Sequence, residues 1–177
     1  MRYLLRALAL FGALGLVACS PTFNWREVRP GASTLVALLP CKPDEAVRTV
    51  ALDGEPVNLD MLRCDTRGAT FAIGFADVHD RERAGPLLAW WRAATLANLR
   101  ATGSTDVPFM PKGSLVLPQS TRVTATGQRA DGAAVKVHAA WFAQRVGSGV
   151  QLFQAVVYAK KMDQNVSDTF FSSLRLQ

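Results

Sequence analysis

Histidine and cysteine are scarce in this sequence, and most enzymatic chemistry depends on side chains of that kind. The 177 residues include two histidines and three cysteines. No Gly-x-Ser-x-Gly elbow, glycine-rich phosphate loop or His-Glu-x-x-His motif occurs in them. His79 and His138 are distant from the cysteines along the chain, so the ligand spacing of a zinc site is also missing. The sequence therefore predicts a protein that is not an enzyme, with no catalytic residue, metal or cofactor.

The two histidines leave one catalytic alternative. His79 lies in the charged turn 79–83, where a neighbouring carboxylate would make it a general base. The alternating charges of that turn favour an ordinary solvated histidine. His138 falls on the polar parity of a predicted strand, which favours a surface or cross-strand position. A hydrolase or transferase is accordingly the third-ranked function.

Clusters of lysine and arginine interleaved with aromatic residues are missing as well. The chain has 20 basic and 14 acidic residues, spread along its length. This distribution lacks the footprint of a nucleic-acid-binding protein. It allows a weak attraction to anionic lipid headgroups or cell-wall polymers, with a merely solvated surface as the alternative.

Residues 7–17 form an apolar run without a charged residue, and Arg2 and Arg6 precede it. Eleven residues form a helix of roughly 16 Å, too short for a hydrocarbon core of about 30 Å. A basic start followed by a short apolar run is typical of an export signal. The run ends in Leu16-Val17-Ala18-Cys19.

Leu16-Val17-Ala18-Cys19 resembles the lipobox of bacterial lipoproteins. The resemblance implies that residues 1–18 are a cleaved signal peptide and that Cys19 carries diacylglycerol and a fatty acid on its new amine. Residues 19–33 would then be a lipidated tether that holds the protein to a membrane. Ser20 resembles the class sorted to the outer membrane, facing the periplasm. The alternative is a plain signal peptide with an incidental cysteine.

With Cys19 acylated, Cys41 and Cys64 remain as an even pair in an oxidising compartment. A disulfide between them would close a loop of about 24 residues and stabilise the fold by roughly 3 kcal/mol. Two free buried thiols are the alternative.

Residues 34–177 are predicted to form a single α+β domain. A buried strand at 34–39 precedes three strands separated by turns at Asp53-Gly54 and Arg67-Gly68. We expect these three strands to present one apolar face, made of Val57, Leu59, Met61, Phe71, Ile73 and Phe75. Small residues at 72, 74 and 76 occupy the other face and indicate that another element packs closely there.

Pro86 predicts the start of a helix from about Leu87 to Arg100, whose apolar stripe is centred on Trp91. Trp90 lies off this stripe, and we expect it in the core. Partial exposure is the alternative, and only that would suggest a partner site. Phe23 and Trp25, in the tether, are expected to pack back on the domain rather than to enter the lipid headgroups.

Proline and glycine interrupt residues 102–120. This composition predicts an irregular segment with a short strand at Leu115–Leu117. Within the segment, Ser104 to Gly113 is a candidate recognition loop. Alternating strands follow, around turns at Asp131-Gly132 and Gly147-Ser148-Gly149. A closing helix after Asp163 carries Val166, Phe170 and Leu174 on one stripe, and a short strand ends the chain. We expect both helices on one side of an antiparallel sheet.

The order of elements, with its ending Thr169-Phe170-Phe171-Ser172-Ser173-Leu174-Arg175-Leu176, resembles the PsbP-like fold of small bacterial lipoproteins. That resemblance implies a binding or assembly role and no catalytic residue. The first hypothesis is a non-enzymatic envelope lipoprotein of accessory or assembly type that binds another envelope component, with an envelope protein as the expected partner. The alternative is a small-ligand-binding lipoprotein with a pocket between sheet and helix.

Overall fold

The computed structural model describes residues 23–177, which contain ten strands and two helices. The strands are β1 (Arg26–Val28), β2 (Leu35–Leu39), β3 (Asp44–Leu52), β4 (Glu55–Thr66), β5 (Ala69–Val78), β6 (Thr102–Pro108), β7 (Thr121–Gln128), β8 (Ala134–Val146), β9 (Gly149–Ala159) and β10 (Arg175–Leu176). The helices are α1 (Ala84–Asn98) and α2 (Gln164–Ser172). The predicted signal peptide, Cys19 and Ser20 lie outside the described residues.

Seven strands form one antiparallel sheet in the order β3-β4-β5-β9-β8-β7-β6. Two meanders, β3–β5 and β6–β9, are joined through the pairing of β5 with β9. A smaller sheet has the order β1-β2-β10. The predicted α+β class and the predicted meander with its turns at Asp53-Gly54 and Arg67-Gly68 are confirmed.

The predicted single apolar face of the β4–β5 hairpin is wrong. The two-residue turn Arg67-Gly68 pairs Thr66 with Ala69, so odd-numbered residues of β5 lie opposite even-numbered residues of β4. Phe71 is therefore opposite Cys64, and Ile73 is opposite Leu62. Directly opposed residues share a face of the sheet. Val57 and Leu59 consequently lie on the other face, with the small residues of β5.

The two helices cover opposite faces of the large sheet, so their predicted placement on one side is also wrong. Leu87, Leu88 and Trp91 of α1 pack on one face, with Leu152 and Val156 of β9. Phe170 and Phe171 of α2 pack on the other, together with the small sheet and the alternate residues of β9, Phe153 and Ala155. Because β9 is central and apolar on both faces, each face needs its own cover.

The residues before the first predicted strand are part of the fold. Residues 26–28 are predicted to belong to the tether, but they form β1 and pair with β2. Trp25 packs on the core with its ring centroid 6.4 Å from that of Phe71, as predicted. Phe23 lies against Trp25 at 6.0 Å.

Cys41 and Cys64 lie at disulfide distance, with Cα atoms 5.8 Å apart. Their separation meets the requirement of the predicted bridge. A bond here links the end of β2 to β4 and so ties the small sheet to the large one.

Residues 102–120 are more regular at their start than the sequence predicts. Thr102–Pro108 forms β6, an exposed edge strand, whereas Leu115–Leu117 forms no strand. Helix α1 begins at Ala84 instead of Leu87. Pro86 is tolerated as its third residue, because an N–H at that position would have no partner within the helix. The closing helix begins as predicted, and the Asp163 side chain accepts a hydrogen bond from the Val166 N–H. Within the described part of the chain, no helix is long and apolar enough to cross a membrane.

Candidate functional site

The most distinctive surface feature is an apolar cleft between α1 and strands β3 and β4, which we call the α1 cleft. Its volume is about 180 Å³. It is lined by residues from α1 and from strands β3, β4 and β5: Val50, Ala51, Leu52, Val57, Leu59, Ala76, Trp90, Trp91, Ala94, Thr95 and Asn98. Nearly all of these side chains are apolar, so the cleft is suited to an apolar group of a partner.

The small residues of β5 explain why α1 sits so close to the sheet. Gly74 lies under the Trp91 ring, where a Cβ would be 3.6 Å from Cζ2 of Trp91 and 3.3 Å from Cδ1 of Leu59. The close packing that the sequence predicts for this face is thus confirmed. It leaves Trp91 only 8 % exposed at the bottom of the cleft.

Trp90 lies at the rim of the same cleft and is 37 % exposed. The prediction that it belongs to the core is wrong. Residues 90 and 91 are separated by about 100° around the helix axis, so both rings cannot face the sheet, and the stripe directs Trp91 inward. The structure therefore shows the exposed alternative, which is the one that suggests a partner site.

Two ordered polar groups hold the helix side of the cleft. The Thr95 hydroxyl donates to the Trp91 carbonyl oxygen at 2.8 Å and accepts from Gln154 Nε2 at 2.9 Å. Arg92 forms an ion pair with Asp106 of β6 on the neighbouring side of the helix. These contacts fix the orientation of α1, so the cleft is preformed.

A more polar and open depression of about 550 Å³ adjoins the α1 cleft and shares Leu52 and Val57 with it. His79 is exposed there, beside Asp77 and Asp80. Asp77 accepts a hydrogen bond from Gln151 Nε2 at 3.0 Å, and the Asp80 carboxylate accepts one from the Glu82 N–H at 2.9 Å. The described residues contain no group of three or more histidine, cysteine or carboxylate side chains arranged to hold a metal.

His138 is buried beneath α2 and only 7 % exposed, so the predicted surface position is wrong. Its Nδ1 lies 2.7 Å from the hydroxyl oxygen of Ser167, which is fully buried. The alternating pattern of β8 assigned it to the polar face, and α2 covers that face. The buried residues of α2 are Ser167, Phe170 and Phe171, whereas the predicted stripe is Val166, Phe170 and Leu174, so the sequence did not place Ser167 against the sheet.

Burial lowers the pKa of His138, and the nearby Arg122 guanidinium lowers it further. Arg122 donates to Asp168 at 2.7 Å and lies over the Phe171 ring at 4.2 Å. This hydrogen bond holds the pKa of Asp168 below its usual value. A serine, a histidine and an aspartate thus lie close together, but the serine hydroxyl has no exposed surface at which a substrate could react. The cluster joins α2 to the sheet.

The predicted recognition loop, Ser104 to Gly113, is divided between β6 and an anchored segment. Phe109 packs against Phe142 and Phe171 at 6.1 and 6.0 Å between ring centroids. Val107 and Met110 are exposed on either side of it.

Neither the protein-family models nor the curated proteins with which the sequence was compared give a match.

Proposed function

We propose that this chain is a non-enzymatic lipoprotein of the bacterial envelope that binds another envelope protein through the α1 cleft. The observation that carries the binding role is the exposed Trp90 beside a preformed apolar cleft. Tryptophan is one of the residue types enriched among the few residues that carry most of the binding energy at protein–protein interfaces.

The anchoring part of the proposal is supported by the lipobox Leu16-Val17-Ala18-Cys19. Two or three acyl chains on Cys19 would make membrane attachment effectively permanent. Ser20 supports an outer-membrane location facing the periplasm. We also propose a PsbP-like fold, supported by the order in which α2 is followed by the short strand β10 at the C-terminus.

A small-ligand pocket between sheet and helix is the less well supported alternative. Pockets for small molecules have volumes of about 300–1,000 Å³. The α1 cleft, at about 180 Å³, has room for one side chain of a partner instead. The adjoining depression of about 550 Å³ has the volume of such a pocket, but its lining is more polar than that of the α1 cleft and it is open to solvent.

Anchoring is tested by labelling cells with radioactive palmitate. We expect label on the wild-type chain and none on Cys19→Ala, which also keeps its signal because the lipoprotein peptidase acts on the lipidated cysteine. Unchanged labelling of the variant would contradict the lipoprotein assignment.

The binding site is tested with a photoreactive amino acid, p-benzoylphenylalanine, placed at position 98 in intact cells, because Asn98 is an exposed residue of the α1 cleft and this position leaves Trp90 in place. Position 116 is the matched control, because Val116 is 83 % exposed and lies outside the α1 cleft. We expect one discrete protein adduct from position 98 and none of that mass from position 116. The same adduct from both positions, or none from position 98, would refute the cleft as the partner site.

A further inference from the structure

The connections at one end of the molecule are rich in basic residues. Six lie in the turns at this end, all of them exposed: Lys42, Arg67, Arg100, Arg129, Lys160 and Lys161. The same turns contain only two acidic residues, Asp131 and Asp163. We call this surface the basic end.

Strand pairing brings these turns together. Ala69, after the turn that holds Arg67, pairs with Ala159, which precedes Lys160. Ala159 also pairs with Lys136, close to the turn that holds Arg129. The Gln128 N–H donates to the Leu99 carbonyl oxygen at 2.7 Å, which brings the end of α1 to the same place.

The connections at the opposite end are nearly balanced in charge. They contain four basic residues, Arg29, Arg81, Arg83 and Lys112, and three acidic ones, Asp53, Asp80 and Glu82. Two of these arginines have carboxylate partners: Arg83 pairs with Asp53 at 3.1 Å and Arg29 with Glu27 at 3.9 Å. Among the connections, positive charge is therefore concentrated at one end of the strands.

The described chain also begins at the basic end. The Asn24 N–H donates to the Pro40 carbonyl oxygen at 3.0 Å, beside the turn that contains Lys42. Phe23 lines a surface cleft of about 210 Å³ together with Arg67, Lys161 and Met162. Cys19 is four residues before Phe23. Even along a fully extended backbone, its sulfur is no more than about 14–18 Å from the Phe23 Cα atom.

We propose that the basic end is a membrane-docking surface that lies on the anionic headgroups of the bilayer in which the chain is anchored. This proposal rests on the lipid anchor of the proposed function, because the anchor fixes which end of the molecule faces the bilayer. Basic side chains next to an anchor are attracted by anionic lipids, and aromatic residues such as Phe23 suit the interface. Docking would point the opposite end away from the membrane.

The five lysines of the chain are natural reporters of this orientation. Lys160 and Lys161 lie at the basic end, whereas Lys112 lies at the opposite end, where its backbone bonds to β10. The mature chain, purified from membranes, is added from detergent to preformed vesicles. One set is phosphatidylcholine alone, and the other contains phosphatidylcholine and phosphatidylglycerol in a ratio of about three to one, which provides an anionic surface. Acetylation by a membrane-impermeant reagent is then followed at each lysine by mass spectrometry.

We expect acetylation of Lys160 and Lys161 to slow by about fivefold or more in anionic vesicles, the factor that corresponds to one basic residue held at an anionic surface. High salt should abolish this protection, and the rate at Lys112 should be the same in both vesicles. Equal rates at Lys160 in the two vesicles, or equal protection of Lys112, would overturn the proposal. Protection that requires dense protein and not anionic lipid would assign the surface to a second copy, and would also overturn it.

A pair of variants separates specific docking from general charge. Arg100→Glu with Arg129→Glu should reduce the protection of Lys160 and Lys161. The matched control, Arg81→Glu with Arg145→Glu, changes the net charge equally at exposed positions of the opposite end and should preserve it.

Failure of the anchor gives a different result from failure of the docking surface. A chain without lipid is not retained by phosphatidylcholine vesicles at all, whatever its lysines show. A retained chain with unprotected Lys160 and Lys161 contradicts docking alone.

Discussion

His138 is held without a charge between β8 and α2, because burial and the Arg122 guanidinium both lower its pKa. Its one buried partner is the Ser167 hydroxyl, 2.7 Å from Nδ1. A protonated ring at this position would be repelled by the positive charge of Arg122. Of these two neighbours only the half-exposed Asp168 carboxylate would attract it. Folding stability is therefore linked to the protonation of this one residue.

The sign of this linkage predicts a loss of stability in mild acid. Because the folded-state pKa is below that of the unfolded chain, the unfolded chain binds the proton first as the pH falls. Stability is full above about pH 6.5 and decreases as the pH falls below it, until the folded state is protonated too. Urea unfolding of the purified chain at about pH 7.5 and pH 5.5 should show a lower midpoint in acid, and the difference should shrink in His138→Gln. The control is exposed His79→Gln, which should retain the full difference; a His138→Gln chain as acid-sensitive as the wild type would disprove the linkage.

Trp90 and Trp91 are adjacent in sequence and opposite in role. Trp91→Ala removes a buried ring over Gly74 and should cost on the order of 3–5 kcal/mol of unfolding free energy. Trp90→Ala removes a partly exposed ring and should cost clearly less unfolding free energy. It should nevertheless abolish the protein adduct formed by the photoreactive probe at position 98 of the α1 cleft. Thermal melting of both purified variants checks the stability difference. A lower melting temperature for Trp90→Ala than for Trp91→Ala would mean that the helix faces the other way.

At the scale of elements, the fit between α1 and β5 depends on the absence of a side chain at Gly74. Gly74→Ala places its Cβ 3.6 Å from Trp91 Cζ2, an ordinary contact, and needs only a small shift of Leu59. Gly74→Val adds two methyl groups in the same place and should destabilise the fold by about 1–3 kcal/mol through overpacking. In a Trp91→Ala background the valine should cost less, because the ring that it strikes is gone. Additive unfolding free energies in the four variants would show that the helix does not rest on this site.

The elements that the sequence predicts well are those bounded by strong local signals. Asp53-Gly54 and Asp163 fixed a hairpin and a helix start, because turn and capping preferences act over a few residues. The faces were harder to assign. Parity within β5 is evident from the sequence. Which residues of β4 share its face depends on the two-residue turn Arg67-Gly68, which places even-numbered residues of β4 opposite odd-numbered residues of β5.

The candidate site was predicted only in part. The stripe around Trp91 identified the inward face of α1, and the small residues at 72–76 indicated the close approach. The helix pattern places Trp90 off the inward stripe, but how much of its ring stays exposed depends on how far β3 and β4 extend beside the helix. The burial of His138 depends on α2 covering the opposite face. Both are tertiary effects, for which the pattern of a single strand or helix carries no signal.

At the scale of the whole molecule, the two halves of the large sheet depend on each other. β5 has β4 on one side and β9 on the other, and its Phe71, Ile73 and Phe75 are covered by elements from both ends of the chain. The β3–β5 meander has no partner for its inner edge until β9 is present.

A chain that ends at Ser148 tests this dependence. It retains all of β3, β4 and β5 but lacks β9 and α2, and so lacks the cover for its phenylalanine face. We expect limited proteolysis to cleave within residues 44–78 at concentrations that leave the complete chain intact. A protease-resistant fragment spanning 44–78 would show that the meander folds by itself.

The pairing of β5 with β9 also sets the order of events during synthesis. Val78 pairs with Val150 and Ala69 with Ala159, contacts between residues roughly 70 to 90 positions apart. Closing a loop of that length is slow, and no local hairpin can substitute for it. About five-sixths of the chain must leave the ribosome before the central ladder can begin to form. Until then β5 has a free edge, which is open to pairing with another chain.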